Sequence, residues 1–175
     1  MSGDSLTYSL KGHGWADLEI SIGGETRLIE GISYCTNAFD DLIRMGLQIA
    51  TDTGFACVLF DHEPATTILV AETGWWAGSD WIVGARLGAI EGATHDVREP
   101  TWSSIKDIPR QFEFTIGSRD ALARLFLDMA KKVEREYGVD GYEERWAGDL
   151  GFPVRAMAAL ERALSVEPRG APHYA

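Results

Sequence analysis

Asp17-Leu18-Glu19-Ile20-Ser21-Ile22-Gly23-Gly24-Glu25-Thr26-Arg27-Leu28 alternates apolar and polar residues up to a pair of glycines. Leu18, Ile20 and Ile22 fall on one side of an extended chain, and Asp17, Glu19 and Ser21 on the other. That is the pattern of a strand with one buried and one wet face. Gly23-Gly24 supplies the backbone freedom a two-residue hairpin needs. The stretch therefore predicts an antiparallel pair. Its return strand runs from Thr26 to Tyr34 with Leu28, Ile32 and Tyr34 inward, and Glu30 falls on that same face.

Outward from this hairpin the same reasoning continues. Upstream, Tyr8 and Leu10 form a strand that ends at the turn Gly12-His13-Gly14. Downstream, residues 37–51 read as a helix with Asn37 as N-cap and Asp40 reaching back to the first-turn amides. Phe39, Leu42, Ile43, Gly46, Leu47 and Ala50 make its apolar stripe. Phe55 to Phe60 is a continuous apolar run, read as a central strand buried on both faces. Asp61-His62-Glu63-Pro64-Ala65 turns the chain into a strand over Thr66 to Glu72. Gly74 to Asp80 leads into another over Trp81 to Ile90. Residues 91–110 are irregular, either a long loop or a loop with a short edge strand. A short strand spans Gln111 to Ile116, and Ser118 caps a long helix that Gly138 stops. A further turn of helix covers Gly141 to Trp146, and Pro153 opens a last helix. The sum is one α+β domain over residues 1–175, strand-rich over 6–116 and helical over 118–165, with a frayed tail at 168–175. Its six to seven strands form a mainly antiparallel sheet, packed against the 37–51 helix and the C-terminal helical part.

The 175 residues are 45% hydrophobic, enough to fill one core, and carry a formal charge of −11. A surface so acidic repels a phosphate backbone, which argues against nucleic acid as a partner and favours a basic one. The charge is uneven. Residues 1–85 hold 12 acidic and 3 basic side chains, whereas residues 86–175 hold 15 and 13. No apolar run is long enough to span a bilayer, and Met1 to Ser5 lack the basic and apolar regions of a secretory signal. Both point to a cytoplasmic chain. Cys35 and Cys57 sit in apolar stretches without metal-ligand spacing and read as buried free thiols, although a single disulfide between them is open.

Motifs that carry chemistry are sparse. His13, His62, His95 and His173 show none of the pairings of zinc sites, so no metal is expected. There is no nucleophile elbow, no P-loop and no G-x-G-x-x-G, so no catalytic or cofactor-binding residue is assigned. The six tryptophans are more informative. Trp75, Trp76 and Trp81 cluster about one hairpin connection, and neighbours in a strand point to opposite faces. One of Trp75 and Trp76 then faces a partner, or is covered by the 91–110 segment. Trp is enriched where interfaces concentrate their energy.

Three groups of residues carry a family resemblance. They are Tyr8-x-Leu10-x-x-x-Gly14-Trp15-Ala16, Ser33-Tyr34 leading into Asp40-Asp41-Leu42-Ile43, and Phe60 with Glu63-Pro64. Tyr142-x-x-Arg145-Trp146 and Phe152-Pro153 extend the pattern over roughly residues 8–165. The whole resembles small bacterial α+β proteins similar to the immunity proteins of polymorphic toxin systems. The resemblance implies a non-enzymatic, cytoplasmic module that occludes a toxin, and it brings no catalytic residues. Together with the acidity, it makes Asp61, Glu63, Trp75, Trp76 and Asp80 the candidate contacts for a basic protein partner. The alternative is a small-ligand-binding protein or enzyme with an aromatic-lined pocket between sheet and helices, using His62 or His95 as a polar contact. A homodimer through an exposed strand edge is a third possibility.

Overall fold

The alternating stretch folds as a hairpin. The computed structural model describes residues 3–51, 54–62, 65–77, 80–92, 100–146 and 150–166, with the side chains of residues 76, 77, 80 and 81 outside the description. In it β1 (Ser5–Gly12), β2 (Trp15–Ile22) and β3 (Glu25–Ser33) form an antiparallel meander. Leu18, Ile20 and Ile22 are buried as their spacing requires.

β3 breaks the simple alternation. Leu18 pairs with Ile29 and Ala16 with Ile32, so Glu30 and Gly31 together stand opposite Asp17. Gly31 adopts φ +67°, open to it because it lacks a Cβ, and its N–H donates to Asp17 Oδ1 at 3.0 Å. This bulge moves the strand's phase by one residue. Ile29 and Ile32 are buried, while Leu28 and Tyr34, expected inward, are 47% and 49% exposed.

The predicted helix is α1 (Ala38–Ala50). Phe39, Leu42, Ile43 and Gly46 are buried, and so are Met45 and Ile49, because α1 is covered by strand on one side and by helices on the other. A Cβ on Gly46 would lie 2.7 Å from Phe126 Cβ, so glycine there sets how closely two helices approach. The expected capping differs. Asn37 occupies the N-cap position without a side-chain capping bond, and Asp40 accepts from Arg44 Nε at 2.6 Å instead of reaching the first turn.

A second antiparallel sheet has the order β4 (Phe55–Asp61), β5 (Thr66–Ala77), β6 (Asp80–Glu91) and β7 (Phe112–Ile116). The Phe55–Phe60 run is therefore an edge strand, not a central one. It is apolar throughout because both faces are covered. Ala56, Val58 and Phe60 enter the main core, and Phe55, Cys57 and Leu59 pack with Ile68, Val70, Ile90 and Ile105 in a smaller cluster. Ile105 comes from α2 (Trp102–Ile105), a short helix inside the segment expected to be irregular, with Thr101 and Ser104 forming a capping box.

Ser118 caps α3 (Arg119–Arg145), its hydroxyl accepting from the Ala121 N–H at 3.1 Å. Gly138 leaves helical geometry at φ 68°, and the turn expected from Gly141 is the helix's continuation beyond that break. α4 (Val154–Ser165) begins after Pro153, which stands at the cap position. The fold is α+β. α1, α3 and α4 share one core with the inner faces of both sheets. Among the described residues no helix is long and apolar enough to cross a membrane. The 168–175 tail lies outside the described residues.

Candidate functional site

Asp61 ends β4 opposite Thr66, and the following turn is closed by the His62 N–H donating to the Ala65 carbonyl at 2.8 Å. Glu63 and His95 lie outside the described residues, as do the side chains of Trp76 and Asp80. β5 begins at Thr66 and ends at Ala77. At about 3.3 Å per residue its ends stand on the order of 35 Å apart. Asp61 therefore lies beside the start of β5 and Trp75 near its end, so these two expected contacts do not share one patch.

Trp75 is half-buried by its own chain. A Cβ on Gly84 would meet its ring at 3.2 Å, and the Arg86 guanidinium lies 3.7 Å above the ring centroid. Arg86 also pairs with Glu113 at 3.4 Å. Beside it Arg110 bridges Glu113 and the buried Glu72, the latter at 2.6 Å. An aromatic ring, two arginines and two carboxylates thus interlock on the face of the second sheet turned away from the main core.

Two grooves flank β4. One, of about 360 Å³, lies where β3 meets the turn after β4 and is lined by Leu28, Glu30, His62, Thr67 and Glu91. His62 Nε2 is buried in it without a hydrogen-bond partner. The other, of about 470 Å³, lies between α1 and β4, lined by Thr36, Asn37, Asp41, Gln48, Cys57 and Pro100 among others. Thr36 Oγ1 and Asn37 Oδ1 are buried and unpartnered. Burial holds the Asp41 carboxyl above its usual range; Asp40 adds to the effect and Arg44 opposes it. Neither groove is lined by an aromatic ring, unlike the pocket that the alternative reading expected.

Cys35 and Cys57 are not joined in a disulfide, and Cys35 is exposed rather than buried because it follows the end of β3. The Cys57 thiol donates to the Pro100 carbonyl at 3.5 Å, and burial pushes its pKa up, which keeps it neutral and a weak nucleophile. Among the described residues no three His, Cys, Asp or Glu side chains gather as a metal site.

The residues that carry the family resemblance converge. Tyr8 on β1 lies 5.0 Å from Phe39 and 6.2 Å from Trp146 between ring centroids. Phe39 lies 5.3 Å from Tyr142 and 5.6 Å from Phe152. The Gly14 N–H donates to the Arg145 carbonyl at 3.3 Å, tying the first turn to the end of α3. These motifs build a core rather than a surface. Tyr8 Oη, Tyr142 Oη and Trp146 Nε1 are buried in it without partners. Burial pushes both phenols well above their usual range, so neither ionises near neutral pH. An unpaired buried hydroxyl is costly, and Tyr142→Phe is expected to leave stability unchanged or raise it by about 1 kcal/mol. Urea unfolding measures this, and a loss of about 2 kcal/mol or more would mean the hydroxyl has a partner such as an enclosed water.

The chain matches no family model, no curated protein and no solved structure. Its functional reading therefore rests on the two grooves, the charge distribution and the residue patterns themselves. Asp61 was legible in the sequence as part of an acidic turn. Glu30 and Glu91 were not picked out, since they come from separate strands. The signal for Glu30 was its place among apolar residues on an alternating strand. Thr36, Asn37, Asp41 and Gln48 meet along the start and one side of α1, where the sequence marks Asn37 only as an N-cap.

Proposed function

We propose that this chain is a protein-binding module whose acidic, strand-rich half receives a basic protein partner, in the manner of an immunity protein occluding a toxin. The observation that carries this reading is the groove between β3 and the turn after β4. It sets the carboxylates of Glu30 and Glu91 beside Leu28, whose side chain is 47% exposed, and no Lys or Arg is among its described lining residues. An apolar anchor flanked by negative charge within the groove is complementary to a basic residue next to an apolar one. The uneven charge of the chain supports the same side, because residues 1–85 hold 12 acidic against 3 basic side chains. The interlocked Trp75, Arg86 and Glu113 support a rigid sheet more than a partner contact, which shifts the expected surface from the far end of β5 to the end near Asp61. The immunity-protein part of the proposal rests on the resemblance carried by Tyr8, Gly14, Asp40, Tyr142, Arg145 and Phe152.

The test is co-expression with the product of the gene adjoining its own. The expected result is a complex that weakens as salt is raised and protection of the host from that product's toxicity. Reversing charge with Glu30→Lys and Glu91→Lys together is expected to weaken the complex by about 10- to 100-fold, with protection lost. A complex indifferent to the reversal would move the interface elsewhere. A chain that binds no neighbouring product would overturn the reading.

A further inference from the structure

The cleft between α1 and β4 stands apart from the acidic groove, and its chemistry is different. Its walls come from the segment before α1, from one face of α1, from the edge strand β4 and from Pro100. The volume of about 470 Å³ is that of a small-molecule site, for which about 300–1,000 Å³ is usual. Two of its oxygens, Thr36 Oγ1 and Asn37 Oδ1, are shut off from water and bonded to nothing. Native chains leave few such atoms, since each costs the desolvation of a polar group. Close by on the helix stands Asp41, half-buried and outside the ion pairs of its neighbours. The adjacent Arg44 is committed to Asp40, at 2.6 Å and in line as an i, i+4 pair. The cleft therefore presents a carboxylate and two sequestered oxygens, with its one lining cation already engaged. Cys57 adds only a neutral thiol that already donates to Pro100.

We propose that this cleft is a binding site for a small organic cation rich in N–H donors, a guanidinium above all, with Asp41 as counter-ion and with the Thr36 and Asn37 side chains turning their sequestered oxygens toward it as hydrogen-bond acceptors. A guanidinium carries five donors in a planar fork that suits a carboxylate and neighbouring oxygens at once. A bound cation gives both orphaned oxygens a partner and offsets the burial of the Asp41 charge. That burial holds the Asp41 carboxyl above its usual range even though helix first turns favour acidic groups, so the residue is kept at a cost to the fold. The site goes beyond the partner-binding proposal and is independent of it, because none of its lining residues lines the acidic groove.

Three probes of nearly the same shape decide it by amide chemical-shift titration of the full chain: butylguanidinium, butylammonium and butylurea. Butylguanidinium is expected to give saturable shifts confined to residues 36–48 and 57–59, binding about tenfold or more tightly than neutral butylurea, with butylammonium between. Asp41→Asn is expected to remove that preference while melting at the same temperature as the parent or higher, which separates lost recognition from lost folding. Arg44→Gln, which removes the competing cation, is expected to tighten butylguanidinium. Equal binding of the charged and neutral probes, shifts outside the cleft, no saturation, or unchanged affinity in Asp41→Asn would each overturn the site. None of these results bears on the salt-sensitive partner complex, which is read with Glu30 and Glu91 variants.

Discussion

Phe39→Ala is expected to cost about 3–5 kcal/mol, the range for truncating a buried aromatic side chain. Phe39 is fully buried on α1, and its ring packs within 5.0–5.6 Å of Tyr8, Tyr142 and Phe152 between centroids. It joins β1, the end of α3 and the lead into α4 through one side chain, so no single neighbour can move in to fill the space. Domains of this size hold a net stability of about 5–15 kcal/mol, so the loss removes about a fifth of it or more. The melting temperature is expected to fall on the order of 10 °C, and the urea midpoint with it. Phe39→Leu, which retains most of the volume, is expected to cost much less. A Phe39→Ala variant within about 1 kcal/mol of the parent would mean that the aromatic cluster is not a rigid part of the core.

Arg110→Met is expected to be the second most damaging change, at about 2–4 kcal/mol. Arg110 precedes β7, and its guanidinium bridges Glu72 and Glu113, with the Glu72 side chain only 9% exposed. Removing the cation leaves a carboxylate that water reaches poorly and no longer balanced by its nearest partner. Arg86, opposite Glu72 on β6, moderates the loss. Pairing Arg110→Met with Glu72→Leu is expected to recover much of the loss, because the cost comes from stranding one charge rather than from the absence of an ion pair. A double variant as unstable as the single one would show that the network holds β7 to the sheet by geometry and not by charge.

Local patterns carried most of the fold. The Gly23-Gly24 hairpin, the helix after Asn37 and the Ser118 cap depend on residues within a few positions of one another, where spacing and turn chemistry are direct evidence. The departures share one cause, contact with something distant in sequence. Leu28 and Ile29 exchanged places because Asp17, on the opposite strand, accepts the Gly31 N–H and anchors a bulge. Phe55–Phe60 reads as a central strand because its burial on both faces is real, but a short helix more than 40 residues on, and not a further strand, covers the outer face of this edge strand. The candidate sites suffered most. Asp61, at the end of β4, pairs with the start of β5, whereas Trp75 lies near the other end of that long strand. Asp41 and Cys57 share a cleft only because a helix packs on a sheet edge, and no residue pattern reports that meeting.

The strand order has a consequence for how the molecule comes together. Every strand pairs only with its neighbour in the chain, β1 through β3 in one sheet and β4 through β7 in the other. Each sheet is a succession of hairpins, so the loops that must close are short, save the segment between β6 and β7. The distant pairings belong to the helices, as where the Lys132 ammonium reaches Thr7 Oγ1 across 125 positions. In chain order both meanders precede α3, and until it packs each leaves open the face that α3 covers. Docking of α3 and α4, rather than strand pairing, is then the step that closes the shared core.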